Sequence, residues 1–139
     1  MSFIVDKIKW IMLVSGALTC TMIYAAIAPQ AALQGTFGET LHGPLAEIVV
    51  RNWGVLITVV GAMLIYGAYR PESRTLVLAV AIATKLVFIA LVLAQGSRYL
   101  GQQAGIAVVI DAVWVVLFAC YLAASRPVRG AEVISRPPP

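Results

Sequence analysis

The sequence predicts an all-α integral membrane protein, an antiparallel bundle of four transmembrane helices with both termini cytoplasmic and a short interfacial segment between helices 1 and 2. Three observations predict it. Of 139 residues, 61% are hydrophobic and 12% are charged, whereas soluble domains have about 45–50% apolar and about 25% charged residues. The apolar residues form blocks of about twenty, the length that crosses a bilayer. Lys and Arg are concentrated at the ends of the blocks that lie on one side of the predicted membrane.

The first block predicts a helix over about 10–28. Ala26-Ile27-Ala28 is similar to a signal-peptide cleavage site. However, the block is longer than the 7–15 residues typical of the apolar region of a signal peptide, and Pro29 is expected to obstruct cleavage. The interpretation is therefore a retained first helix. The mixed, Gly-rich stretch 29–43 is too short to span, so we expect it at the interface with Phe37 and Leu41 directed inward.

Pro44 suits the first position of a second helix, predicted over about 44–69. The loop Arg70-Pro71-Glu72-Ser73-Arg74 ends it, because proline cannot continue the hydrogen-bond ladder. The remaining apolar blocks predict helices over about 75–95 and 105–124. Residues 1–125 then form the transmembrane domain, and the charged, proline-rich residues 126–139 are predicted to be a disordered cytoplasmic tail.

Basic residues near the ends of the spans orient the bundle. One side has seven and the other has only Arg51 and Arg98. Because cytoplasmic ends carry the excess of Lys and Arg, the side with seven is predicted to be cytoplasmic. The membrane is predicted to be the inner membrane of a bacterium. The seven are Lys7, Lys9, Arg70, Arg74, Arg126, Arg129 and Arg136.

Two ionisable residues fall inside the spans, Lys85 in helix 3 and Asp111 in helix 4. Such residues are costly in lipid and usually face the bundle interior, where they pair. Counted from the outer helix ends, Lys85 lies about 15 Å deep and Asp111 about 9 Å, a gap that a lysine side chain can close. The pair is therefore predicted to meet in the outer half of the bundle.

Further polar residues open helix 2 at the same end. Arg51 and Asn52 enter there, so Asp111 is expected between Lys85 and Arg51, while Glu47 can pair with Arg51 at the i, i+4 spacing. This polar cluster has two interpretations, a structural ion-pair network that fixes helix order or a binding pocket or proton relay. The sequence leaves both open.

Two further patterns concern packing. Trp114 and Phe118 lie on one face of helix 4 and could form an apolar quinone or lipid site, although aromatic residues at that spacing are more often core. Small residues recur at helical spacing in the first two helices and favour close packing, within the chain or in a homo-oligomer. They are Ser15, Gly16, Thr19 and Cys20, then Gly54, Thr58, Gly61 and Ala62.

The sequence lacks the residues that several classes of protein chemistry require. His42 is the single histidine, which excludes a bis-histidine haem and multi-histidine metal sites. Cys20 and Cys120 form no Cys-x-x-Cys motif. No catalytic motif occurs, so the sequence predicts no enzyme, no cofactor and no metal. The net charge is +4, but the basic residues lie mainly at the edges of the spans, which argues against nucleic-acid binding.

The order of features resembles the small bacterial DoxX-like membrane proteins over about residues 10–124. The residues that carry the resemblance are Ala28-Pro29, Phe37-Gly38, the Arg-Asn-Trp-Gly run from Arg51 to Gly54, and Gly61-Ala62. The resemblance implies the four-helix fold. DoxX is named for association with a quinol oxidase or thiosulfate-oxidising system, but no residue here carries that role across.

Two function hypotheses follow. The first is a non-enzymatic accessory or scaffold subunit of an inner-membrane complex, with a membrane-protein partner or a second copy. The second is a small transporter or ligand- or quinone-binding protein that uses the outward polar cluster. An unbroken set of helices without an internal repeat argues against a large transporter.

Overall fold

A computed structural model describes residues 2–125, and within them every regular element is helical. The predicted tail at 126–139 lies outside the described residues. A short 3₁₀ turn at Pro71–Ser73 precedes the fifth α-helix. The α-helices are α1 (Ser2–Cys20), α2 (Ile23–Ile27), α3 (Pro29–Phe37), α4 (Pro44–Tyr69), α5 (Arg74–Ala94) and α6 (Gln103–Ala124).

The prediction of four membrane-length apolar helices is confirmed. Length and composition allow four segments of the described chain to cross a bilayer. They are Ser2–Ile27, Pro44–Tyr69, Pro71–Ala94 and Gln103–Ala124. The chain is therefore a multi-pass membrane protein.

The first span differs from the prediction in its start and in its continuity. It begins at Ser2 rather than near Trp10, because Ile8 and Met12, four residues apart on one face, are buried in the core and continue the helix toward the N-terminus. It is also interrupted at Thr21–Met22. There the Thr21 hydroxyl donates to the Leu18 carbonyl at 2.6 Å, a side-chain bond that competes with the helical ladder.

The stretch predicted as a short interfacial segment contains a helix. Pro29 opens α3 at a position where its missing amide costs nothing, and Gly38 ends it with φ at 73°. Phe37 packs against the rings of Trp53 and Tyr99, whereas Leu41 is 55% exposed. Phe37 is thus directed into the protein.

Glycine contacts bring α1 and α2 close to α4. A Cβ added at Gly61 would lie 2.8 Å from the Gly16 carbonyl oxygen and 2.7 Å from the Cys20 Sγ. At Gly54 it would lie 2.7 Å from the Ala26 amide nitrogen. The small residues predicted to mediate close packing are therefore used within the chain, where side chains would force the backbones apart.

The buried core has two parts. The larger part includes Met12, Leu64, Leu78 and Phe118, which are fully buried. The smaller consists of Val92, Ala104 and Val108. Along α5 and α6 the two parts are separated by the positions of Lys85 and Asp111.

Candidate functional site

Lys85 and Asp111 meet inside the bundle. The Lys85 Nζ donates to the Asp111 Oδ1 and forms an ion pair with it, and the side chains are only 9% and 19% exposed. Helix periodicity brings them together. Lys85 follows buried Ala81 by one turn, and Asp111 follows buried Val108 by three residues, so both point where α5 and α6 pack.

The pair lies nearly level in the two helices. Lys85 is nine residues from the end of α5 at Ala94, and Asp111 is eight residues from the start of α6 at Gln103. Both are therefore about 12–14 Å along their helices from the link that joins α5 to α6. The offset predicted from sequence was larger because α6 begins at Gln103 rather than Gly105 and α5 ends at Ala94 rather than Gln95.

A cavity of about 350 Å³ opens beside this ion pair. All four spans contribute to its wall, which is mostly apolar. The polar exceptions are Lys85, Asp111 and three threonines, Thr19, Thr21 and Thr84. The aromatic lining residues are Trp53, Phe88 and Trp114, and the remaining ones are Leu18, Met22, Leu56, Ile57, Val60, Ala107 and Ile110.

Cavity and ion pair together have the composition of a small-molecule site, in which apolar walls surround a few placed polar groups. A charged side chain deep in a bilayer costs about 2.5–3.5 kcal/mol or more. Pairing makes Lys85 and Asp111 neutral as a unit, which reduces that cost. The cavity wall nevertheless keeps two ionisable groups that an apolar pair could replace.

Arg51 does not join this pair. Its Nη1 donates to the Ala26 carbonyl at 2.5 Å and approaches the Ile27 carbonyl at 3.4 Å. Within residues 2–125, no ion pair links it to Asp111, so the expected arrangement of Asp111 between Lys85 and Arg51 is wrong. The carbonyls at the end of α2 attract the guanidinium, because the helix ends at Ile27 and its last carbonyls have no amide partner in a following turn.

The other two predicted polar residues lie at the surface. Glu47 and Arg51 form an exposed ion pair of 3.7 Å at the i, i+4 spacing. Asn52 is exposed and does not line the cavity. The predicted polar cluster is therefore two separate groups, the buried Lys85–Asp111 pair and the exposed Glu47–Arg51 pair.

Trp114 and Phe118 also separate. Their rings stack with centroids 6.2 Å apart, but Trp114 lines the cavity while Phe118 is fully buried in the larger core. Of these two residues, only Trp114 can therefore contact a ligand in this cavity.

A further polar contact, between Arg98 and Glu39, was not predicted from the sequence. Arg98 donates from Nε and Nη2 to Glu39 Oε1 at 3.0 and 2.6 Å, which joins the loop after α3 to the loop before α6. These hydrogen bonds, with the charge of Glu39, raise the pKa of the exposed Arg98 above its ordinary value. Because both residues lie in links on the predicted outer side, topology brings them together, but sequence spacing alone does not pair them.

The threonines and the other aromatic residues of the cavity were missed for a different reason. Nothing in the sequence distinguishes Trp53 and Phe88 from other aromatic residues of the spans, and threonine is common in membrane helices. Only the packing of all four spans shows that they share one wall.

Fold and site define a multi-pass membrane protein with an ion pair at a cavity between its helices. No protein-family model matches the sequence, and neither a curated protein nor a solved structure is significantly similar to the chain. The cavity and its residues are thus the basis for a functional proposal.

Proposed function

We propose that the protein binds a small, uncharged, largely apolar molecule inside the membrane, with a polar group of the ligand at the Lys85–Asp111 pair. The observation that carries the proposal is this buried ion pair at the wall of an otherwise apolar cavity. A purely structural pair would be favoured by close packing on every side, whereas this pair borders empty volume.

The hydrogen-bonding capacity of the pair supports a ligand that both donates and accepts. The Lys85 ammonium has three N–H donors, and in the described residues one of them is used, by Asp111. The second Asp111 oxygen likewise has no protein donor there. A ligand hydroxyl can accept from the Lys85 ammonium and donate to the free Asp111 oxygen without disturbing the ion pair, whereas a carbonyl can only accept from the ammonium.

Charge and size restrict the ligand further. Because the pair is neutral overall, a charged ligand would bring an uncompensated charge into a low-dielectric site. The cavity of about 350 Å³ lies near the lower limit for small-molecule pockets, about 300 Å³. A single ring or a medium alkyl chain with one hydroxyl or carbonyl fits these limits.

We also propose that the bundle is antiparallel in a bacterial inner membrane, with both termini cytoplasmic. The order of contacts between α1–α2 and α4 supports the antiparallel arrangement, since Met12 lies near Gly67 and Ala26 near Gly54. The Lys9 ammonium lies 4.6 Å from the centre of the Tyr69 ring, at the end of α4 that leads to Arg70 and Arg74. This grouping of basic residues supports a cytoplasmic location for that end.

Tryptophan fluorescence provides a test of ligand binding, because Trp53 and Trp114 line the cavity while Trp10 is 62% exposed elsewhere. In a Trp10→Phe protein in lipid nanodiscs, bromine-bearing probes quench the cavity tryptophans on contact. Three probes of equal chain length are compared: ω-bromooctanol, bromooctane and ω-bromooctanoate.

Saturable quenching by the alcohol, with only linear quenching by the other two, is the expected result. The matched control replaces the pair by Lys85→Met with Asp111→Leu, which keeps the cavity wall and its threonines but removes the two ionisable groups, and there the alcohol should also quench linearly. Linear quenching by all three probes in the Trp10→Phe protein would contradict the proposal.

The accessory-subunit hypothesis remains a second proposal, as does the DoxX-like resemblance. An exposed apolar row along α6, formed by Ile106, Val109, Val113 and Val116, is compatible with a partner in the membrane. The glycines of α1 and α4, however, pack within the chain, which removes one argument for a partner. Gentle detergent extraction followed by size analysis tests it, and a lone monomer would contradict it.

A further inference from the structure

We propose that Met22, at the interruption of the first span, is a gate between the ligand cavity and a second cavity at the α3 end of the bundle. The ligand would exchange through this gate. The inference rests on the proposed function, because it assigns a route to the same ligand.

The second cavity adjoins the first. It has a volume of about 470 Å³ and lies between α2, α3 and the start of α6. Thr21 and Met22 line both cavities, so these two residues form the wall between them. The second cavity also has polar lining residues, Thr36 and Gln103. They lie next to the links 38–43 and 95–102.

The helix interruption itself supports a passage. Thr21 and Met22 donate their amides to carbonyls only three residues back, Leu18 and Thr19, which departs from the α-helical ladder. Irregular backbone at membrane depth is tolerated where it lines a cavity, and interrupted helices commonly form binding sites in transporters. The sequence-based expectation of four unbroken helices, which had argued against transport, therefore does not apply to this span.

Packing limits which part of the wall can move. The Met22 carbonyl oxygen lies 2.9 Å from the position of a Cβ added at Gly54, so the backbone here is packed closely on α4. Arg51 holds the carbonyls that follow at the end of α2. The Met22 side chain is unbranched with three rotatable bonds and can change rotamer without backbone movement. The gate is therefore this side chain.

A second route competes with the gate. Leu18, Leu56 and Ile110 line the ligand cavity and are 51%, 56% and 41% exposed, so a ligand could enter sideways from the lipid. The two routes predict different effects of closing the second cavity.

Gly35→Phe closes it without touching the ligand cavity. A Cβ at Gly35 meets no atom nearer than the Gln103 Oε1, at 3.7 Å, so a side chain can begin there without a clash, and Gly35 lines the second cavity that the Phe ring is intended to fill. Stopped-flow quenching of the Trp10→Phe protein by ω-bromooctanol gives association and dissociation rates. Both should fall about tenfold, the effect of ~1.4 kcal/mol of added barrier, with an unchanged Kd. Gln34→Phe, on the exposed side of α3, is the matched control and should change neither rate.

Met22→Ala tests the gate from the opposite direction, because shortening the side chain should speed association. Unchanged association rates in both Gly35→Phe and Met22→Ala, with saturable binding intact, would overturn the gate and favour entry from the lipid. That result differs from failure of the proposed function, in which the Trp10→Phe protein itself would show no saturable quenching.

Discussion

The Lys85 ammonium donates to the Asp111 carboxylate from the middle of a neighbouring helix, and the two side chains together interrupt an otherwise apolar interior. One side of this pair packs between two apolar clusters, and the other borders a cavity. The contact therefore links stability to ligand binding, and substitutions can separate the two contributions.

Removal of one member of the pair should destabilise the fold more than removal of both. Lys85→Met leaves a buried carboxylate unpaired and is expected to cost about 3 kcal/mol of unfolding free energy. Asp111→Leu alone should cost a similar amount, and the double variant clearly less than either. Thermal and denaturant unfolding in bicelles, analysed as a double-mutant cycle, measures this. Additive losses would show that the two side chains do not interact.

Trp114 and Phe118 should respond differently to truncation although their rings stack. Phe118→Ala opens a hole in the core and is expected to cost about 3–5 kcal/mol. Trp114→Leu removes a cavity wall and should cost less, about 1 kcal/mol, while weakening the saturable quenching of Trp53. Equal losses of stability would place both residues in the core and remove the aromatic residue of α6 from the site.

Prediction from sequence succeeded where one physical rule dominated. Apolar length gave the four spans, and the cost of a membrane charge singled out Lys85 and Asp111. It failed where the outcome depends on three-dimensional packing. Arg51 binds the Ala26 and Ile27 carbonyls where α2 ends, and hydropathy contains no signal for this side-chain contact.

The helical start of α1 and the presence of α3 were missed for a related reason. The residues before Trp10 are too polar to extend an apolar block, yet Ile8 and Met12 bury one face of them against the core. The α3 stretch has mixed composition, and its helix is stabilised by contacts with α2 and α6. In both places tertiary packing outweighs composition.

Glycine substitutions should show how tightly α1 and α4 pack. A methyl group at Gly61 would lie within 3 Å of the Gly16 carbonyl oxygen and the Cys20 amide nitrogen. Because both are backbone atoms, relief requires the helices to separate, and Gly61→Ala is expected to cost about 1–3 kcal/mol. Gly101→Ala meets nothing within 4 Å and is the control, expected within about 0.5 kcal/mol. Unfolding in bicelles compares the two.

Arg51 should matter for order at the end of α2, whereas Glu47 should not. Arg51→Met removes the donor that satisfies the Ala26 carbonyl, so amide hydrogen exchange over residues 23–38 should become faster. Glu47→Gln removes only an exposed ion pair and serves as the control. Equal exchange in the two variants would show that the guanidinium does not hold this segment.

Labelling of introduced cysteines should reveal which end of the bundle faces the cytoplasm. In a Cys20→Ala, Cys120→Ala background, His42→Cys places a thiol in the exposed loop before α4, and Glu72→Cys places one in the turn before α5. These positions flank α4 and so lie at opposite ends of one span.

The excess of Lys and Arg on the side of Glu72 predicts that a membrane-impermeant maleimide applied to intact bacterial cells labels His42→Cys alone. After the membrane is permeabilised, both thiols should react. Labelling of Glu72→Cys alone in intact cells would reverse the orientation and place the α3 end, with the second cavity, on the cytoplasmic side.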